Sequence, residues 1–408
     1  MNRKKIVLLS LTLLTFLFSD SKCQWQLATN TSFATSFTSS NGILFSGKNG
    51  ITKSTDNGTT WTWAGDGLPA FNTINSLYTN YFNKLFAGLP QNSVYRSSNN
   101  GQNWSKIDTG MGSSRTVNFI SGDTLFPNLY AGTTDGLFYS YNQGNTWSLL
   151  GLNGLNVTSL LVKDNLIFAC IILDGVRVST NSGATWSNAS SGLPGFQTIN
   201  CLESKGNAVF CGTSNGGLFK TTNNGVNWVS SSTGIPTNNH TIYSIKTIGN
   251  TILFASTYGV YSSTNNGTSW TAFNDGIPAG TQVNNNDLFV FNNFCFVGAN
   301  NGIYRRPLSQ ISEVRFISSE IRSFELKQNY PNPFNPSTVI RYSIPSSSFV
   351  SLNVYDVTGK FISNLTNQRL NAGSYEVSFN SKELSSGIYF YTLKTDERVV
   401  TKQMVVVK

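Results

Sequence analysis

Apolar residues along this 408-residue chain fall in short runs broken by Gly, Asn, Ser and Thr, which reads as β structure rich in turns and not as helix. Seven of these runs are variants of one line: "LFSGKNGITKS", "LFAGLPQNSVYRSS", "LYAGTTDGLFYS", "IFACIILDGVRVS", "VFCGTSNGGLFKT", "LFASTYGVYSS" and "CFVGANNGIYRR". All but the last lead into an eight-residue box: "STDNGTTW", "SSNNGQNW", "SYNQGNTW", "STNSGATW", "TTNNGVNW" and "STNNGTSW". The box tryptophans stand at 61, 104, 147, 186, 228 and 270, at intervals of 43, 43, 39, 42 and 42 residues. A period of about 40–45 residues with several short strands per unit predicts a β-propeller, one four-stranded blade per repeat. Seven lines predict seven blades.

The seventh line lacks a box, because it runs into "PLSQ". At the other end of the repeat region "QWQLATN" resembles the segment that follows a box tryptophan, so Trp25 to Ala28 is expected to supply the outer strand of blade seven. That closure leaves no blade with an open edge. Within the boxes, Asn57-Gly58, Asn100-Gly101, Asn224-Gly225 and Asn266-Gly267 suit a tight turn with positive φ, and Gly144 and Gly183 keep the glycine. The box is therefore expected to be scaffold: an oxygen-bearing pair at its first and third positions, a turn glycine, and a tryptophan that covers the hairpin. Its members are Ser54, Asp56, Gly58 and Trp61; Ser97, Asn99, Gly101 and Trp104; Ser140, Asn142, Gly144 and Trp147; Ser179, Asn181, Gly183 and Trp186; Thr221, Asn223, Gly225 and Trp228; and Ser263, Asn265, Gly267 and Trp270.

These residues resemble the Asp-box, or BNR, repeat of sialidases, sortilin-type receptors, xyloglucan-hydrolysing enzymes and photosystem assembly propellers. The resemblance implies a hairpin between the third and fourth strands of a blade, away from the usual catalytic face. Only Asp56 retains the aspartate; asparagine in the other five boxes keeps the acceptor oxygen and loses the charge.

Beyond residue 310 the pattern changes. "PNPFNP" fixes an extended lead-in, and "VSLNVYDVTGK" alternates Val350, Leu352 and Val354 with polar residues, which together with later runs predicts a small antiparallel β-sandwich. "NYPNPFNPST", "LNVYDVTGK", "NAGSYEVSF", "SSGIYFYTL" and "TKQMVVVK" are similar to the type A sorting domain of the type IX, or Por, secretion system. That likeness implies as partners the secretion machinery and its tail-processing sortase, and a product that is released or attached to the outer-membrane surface. The first residues suit such a route: Arg3, Lys4 and Lys5 precede an apolar run from Ile6 to Phe18 that is too short to span a bilayer, with processing expected between Cys23 and Gln24. The expected organisation is an export signal (1–23), a seven-bladed propeller (24–310), a connector (311–328) and a sorting sandwich (329–408). The fold class is all-β, and no membrane span is expected in the mature protein.

Charge changes this picture little. The formal +9 divides into +3 over 1–23 (four basic, one acidic), +3 over 24–310 (thirteen, ten) and +3 over 311–408 (eleven, eight), so no basic stripe points to nucleic acid. Cys201 and Cys211 flank a hairpin and leave a disulfide open, although Ser76 aligns with the first, and Ala87, Ala131 and Ala255 with the second, which favours small buried fillers. Metal-ligand spacing is absent, and no cofactor is expected.

A glycosidase needs two carboxyl groups about 5–9.5 Å apart across a cleft. Asp135 and Asp174, at equivalent turns of neighbouring blades, are the best pair, with Asp66 and Asp275 in other loops. The same turn holds Asn49, Asn215 and Asn300 elsewhere, the first two directly before glycine and the third one residue from it, so turn chemistry accounts for it. A sialidase arginine triad finds only Arg96, Arg115, Arg177, Arg305 and Arg306, and the interblade connections ("GDGLPAFN", "SSGLPGFQ", "STGIPTNN", "NDGIPAG") are short and regular. His240 reads as an exposed loop residue that can meet Phe71, Phe196 or Tyr258. The sequence therefore favours a binding propeller for a glycan or protein over a glycoside hydrolase that uses acidic loop residues.

Overall fold

The computed structural model describes residues 24–30, 34–69, 73–91, 93–112, 115–122, 128–195, 198–236, 240–283, 287–311, 314–318, 323–346, 348–370, 372–381 and 384–408. The expected export signal with Cys23, and Phe71 and Phe196, lie outside them. Among the described residues, seven four-stranded antiparallel sheets succeed one another around a ring. Blade one is a plain meander of Ser36–Ser40, Ile43–Lys48, Gly50–Ser54 and Thr62–Trp63, and the next five blades repeat it. In blade seven, Leu288–Phe291, Phe294–Ala299 and Gly302–Pro307 are completed by Gln26–Thr29 from the other end of the chain, with Gln26 opposite Arg305 and Leu27 opposite Tyr304.

Trp25 makes this closure equivalent to the other blade junctions. Its backbone N–H donates to the Asp275 carbonyl at 2.6 Å, as Trp104 does to Asp66 at 2.8 Å, and its indole N–H donates to the Phe273 carbonyl at 2.7 Å, as Trp104 does to Ala64 at 2.7 Å. Gly67 and Gly276 have positive φ, and a Cβ on either would collide with the carbonyl oxygen of Trp104 or Trp25. The Asp-Gly pairs of the interblade connections are thus explained by close approach to the next tryptophan. Trp147, Trp228 and Trp270 likewise donate their indole N–H to a carbonyl of the preceding blade, to Ile107, Ala189 and Ser231. Trp25, Trp104, Trp147, Trp228 and Trp270 thus rivet blades together, whereas Trp61 bonds to the Gly58 carbonyl of its own hairpin.

All six boxes share one hydrogen-bond circuit. The first-position hydroxyl accepts the N–H of the box glycine (2.8 Å for Ser54 to Gly58, 3.0 Å for Ser97 to Gly101) and donates to the third-position side-chain oxygen (2.8 and 2.9 Å). That oxygen in turn accepts a backbone N–H four residues on, from Thr60 to Asp56 at 2.8 Å and from Asn103 to Asn99 at 3.0 Å. An acceptor is all the circuit needs, which is why asparagine substitutes freely. The residue before each box glycine has positive φ, including Gln143 and Ser182.

The C-terminal region forms two four-stranded sheets. One is ordered Val314–Ser318, Gly373–Asn380, Ser337–Ile344, Glu325–Leu326; the other is Phe361–Leu370, Ser348–Asp356, Gly387–Lys394, Val399–Val406. Ile340, Tyr342, Val350, Leu352, Tyr391 and Met404 are buried together in their shared core. The connector expected over 311–328 needs correction: Val314–Ser318 pairs with Gly373–Asn380, and Glu325–Leu326 pairs with Tyr342 and Ser343, so this stretch supplies both edges of the first sheet. The "PNPFNP" lead-in lies along the last strand, where the Phe334 N–H donates to the Val405 carbonyl and the Val407 N–H to the Phe334 carbonyl, both at 3.1 Å.

Candidate functional site

Of the four loop acids proposed from sequence, Asp135, Asp174 and Asp66 each commit their carboxylate to a separate local partner, and Asp275 is used through its backbone carbonyl. Asp135 receives Arg115 Nε at 2.9 Å and the Gly154 N–H at 2.9 Å; Asp174 receives Arg177 Nε at 2.8 Å. Asp66 accepts the Trp63 indole N–H at 2.8 Å, and the carbonyls of Asp66 and Asp275 hold the junction tryptophans. These contacts fix turns and blade junctions, and none of them joins two acids around a common cleft.

His240 also departs from expectation. It is only 3% exposed, packed 4.5 Å from the Tyr258 ring and 5.7 Å from the Tyr261 ring, and burial pulls its pKa below the ordinary value. The contact with Tyr258 is as anticipated; the exposure is not, because two aromatic rings of blade six cover the imidazole.

The innermost strands carry a set of charges that the sequence reading missed. In these strands one slot stitches each blade to the next: Ser36 Oγ accepts the Leu77 N–H, Ser76 Oγ the Ile120 N–H and Ser244 Oγ the Leu288 N–H, each at 2.9 Å. Asp287, which immediately precedes Leu288, takes that slot in blade seven and accepts the Phe37 N–H at 3.1 Å, so a carboxylate joins blade seven to blade one. Two residues along the neighbouring inner strands stand Glu203, which accepts the Thr247 N–H at 2.8 Å, and Lys246. Burial between the strands raises both carboxyl pKa values, Asp287 to about 6; the nearby Lys246 ammonium opposes the rise in both, and Glu203 adds to it at Asp287. Blades one to four have Thr38, Tyr78, Ser121 and Leu161 where Glu203 and Lys246 stand. Aligning inner strands, rather than searching loops for acids, would have exposed this cluster.

Cys170, Cys201, Cys211 and Cys295 are free thiols. Cys201 lies opposite Gly212 and Cys211 opposite Leu202, so adjacent register turns the two to opposite faces of the sheet. In blade six the slot of Cys211 falls to Phe254, one residue from the expected Ala255, since Val209 and Ile252 both pair with the box hydroxyl residue. Among the described residues no group of three His, Cys, Asp or Glu side chains is placed to hold a metal, and no helix is long and apolar enough to cross a membrane.

Comparison with known proteins agrees with this architecture. Residues 37–171 match the DUF6242 beta propeller domain, and residues 328–407 match the secretion system C-terminal sorting domain. The chain is similar to the extracellular domain of a one-component system from B. thetaiotaomicron (13% identity, TM-score 0.56, 94% of this chain and 59% of that one). It is also similar to YCF48 bound to D1 peptide (15%, 0.54, 69% and 96%) and to a GH74 xyloglucanase from Xanthomonas campestris (12%, 0.54, 92% and 66%). It thus spans less than two thirds of the first of these relatives. No curated protein matches the chain. The molecule is a β-propeller of all-β class. It carries a Por-type sorting domain, which marks it for secretion and the outer-membrane surface.

Proposed function

We propose that this is a secreted or surface-attached, non-enzymatic propeller that binds a glycan or protein, with residues 24–310 as the binding unit and the tail removed by the export machinery. The observation that carries this reading is the commitment of Asp135 and Asp174 to Arg115 and Arg177: with each acid held by its own arginine, no free carboxyl pair remains at the turns where sequence placed one. YCF48, one of the similar propellers, is described in complex with a peptide, which is compatible with a ligand-binding role for such a ring.

A hydrolase reading keeps one specific support. Glu203 and Asp287 have raised pKa values beside Lys246, and a carboxyl group whose pKa is raised by burial is what a general acid requires. The two readings separate in one experiment: incubate the purified chain with a panel of oligosaccharides and measure binding and reducing-end release together. Binding without release is expected. Release that disappears in Glu203→Gln or Asp287→Asn would replace the binding reading with the hydrolase one.

A further inference from the structure

We propose that Tyr81, Phe82 and Tyr141 form a platform for a neutral glycan on the box-bearing side of blades two and three. This rests on the binding reading above and names its site and ligand class. Two independent departures from the repeat create the platform. The second box position is Thr55, Ser98, Thr180, Thr222 or Thr264 in five boxes, and Tyr141 in blade three. The turn between the first two strands has two residues in blades one, four, five, six and seven, whereas blade two inserts five, Asn80 to Lys84, and puts Tyr81 and Phe82 at its tip.

The inserted turn is built, not loose. Asn80 is buried, and its side-chain oxygen accepts the N–H groups of Phe82 (3.1 Å) and Lys84 (2.9 Å) while its carbonyl accepts that of Asn83 (3.0 Å). Held this way, the Tyr81 and Phe82 rings meet edge to face at 5.5 Å and remain 60% and 50% exposed; Tyr141 is 65% exposed.

Blade geometry brings the two departures together. The same turn of one blade touches the box of the next: Asn41 Nδ2 donates to Asn100 Oδ1 at 2.8 Å, and Asn292 Nδ2 to Asn57 Oδ1 at 2.6 Å. The corresponding step from blade two sets the Tyr81–Phe82 turn beside the box of blade three. Arg96 of blade two pins that box through the Gln143 carbonyl and Asn145 Oδ1, both at 2.8 Å.

The two propeller segments that carry the rings select the ligand. Neither segment, 80–84 or 140–147, contains an acid, and Lys84 is their one charged side chain; Asn83, Asn142, Gln143 and Asn145 supply amides. Exposed rings bordered by amides suit the C–H face of a pyranose, with hydroxyl groups bonded at the rim, better than a charged polymer. Three large aromatics displayed on an exported protein also mark an interaction site. Tyr81 also borders a cleft that the tail lines with Phe324, Ile344 and Pro345 and with the charged Asp396, Glu397 and Arg398; it stays open there, so the full chain can be used, and the charges belong to the tail and not to the platform.

The test is titration of the full chain with cello-, xylo- and manno-oligosaccharides, with polygalacturonate as acidic control. The variants are Tyr141→Thr, which installs the residue of four other boxes, and the double substitution Tyr81→Ser with Phe82→Ser. At least one neutral oligosaccharide should bind, with affinity reduced about tenfold by Tyr141→Thr and further by the double variant, at unchanged melting temperature. Neutral-glycan binding that both variants retain would overturn the platform and leave the binding reading intact; failure of every neutral oligosaccharide to bind would overturn the ligand class. Turnover of a bound oligosaccharide would instead refute the non-enzymatic reading while leaving the platform in place.

Discussion

Replacing Trp25 by alanine tests ring closure more sharply than truncation, because it removes one side chain and leaves the strand. Trp25 is 1% exposed and lies in a cluster with Ile248, Leu253, Val260 and Leu288, with the Phe273 ring edge-on at 6.5 Å. Truncating a buried tryptophan costs about 3–5 kcal/mol through lost burial and the residual cavity. Loss of the indole donor also leaves the Phe273 carbonyl without that bond, so the upper half of the range is expected. The internal control is Trp61, which is only partly buried and bonds within its own turn to the Gly58 carbonyl; Trp61→Ala should cost about 1–2 kcal/mol. Urea unfolding of the mature chain, followed by far-UV circular dichroism, gives both values if the slope is unchanged. A cost for Trp25→Ala no greater than for Trp61→Ala would refute the claim that the N-terminal strand locks blade seven.

Asp287→Asn should stabilise the chain at neutral pH: a carboxyl held near 6 when folded and near its ordinary 3.8 when unfolded loses stability as pH rises between those values. The gain should be about 1–2 kcal/mol above pH 6, after discounting for the partial exposure of Asp287, and should vanish below about pH 4, as read from urea midpoints at several pH values. In the boxes, Ser97→Ala should cost about 1–3 kcal/mol by orphaning the buried Gly101 N–H, whereas Asp56→Asn should stay within about 0.5 kcal/mol near neutrality. Asp56 is held down to about 2, chiefly by the Thr60 N–H and hydroxyl, so its contribution is present above the ordinary carboxyl range and lost as pH falls towards 2; thermal melts of Asp56→Asn between pH 2 and 5 should lack that component. Fusing residues 311–408 to an unrelated exported protein should carry it to the cell surface or medium, while a fusion of 329–408 should do so poorly because its first sheet loses Val314–Ser318 and Glu325–Leu326; equal export, judged by fractionation, would show those strands to be dispensable.

Much of the ring was legible because its information is local and repeated. Box glycines, tryptophans and the glycines of the interblade connections (Gly67, Gly110, Gly192, Gly234 and Gly276) each answer to a steric or hydrogen-bonding need that recurs from blade to blade, and Trp25 could be aligned with them despite lying at the opposite end of the repeat region. What escaped depends on distant partners. "VRFIS" is short and sits in a charged stretch, and only its pairing with Gly373–Asn380 makes it a strand. His240 looks like a loop residue until Tyr258 and Tyr261 fold over it. Glu203, Lys246 and Asp287 are separated by more than forty residues each, and only the packing of successive inner strands makes them neighbours.

Repetition also supplies a control for function. A slot filled by Ser36, Ser76 and Ser244 shows that the stitch between blades needs only an acceptor, so the carboxylate of Asp287 is more than the stitch requires. By the same reasoning a box works with Thr55 or Ser98 at its second position, and this turn works with two residues in five of the seven blades, so Tyr141, Tyr81 and Phe82 are not explained by the fold. An exposed aromatic side chain brings no burial to offset its contact with water; Trp63 and Tyr258 are also exposed, but singly, whereas Tyr81 and Phe82 are paired at one turn. Asp135 and Asp174 fail this test, because their turn slot accepts asparagine in three other blades and their charges are answered by arginines. The contrast turns the search for activity away from the acids that stand out in the sequence and towards residues for which the other blades show no structural need.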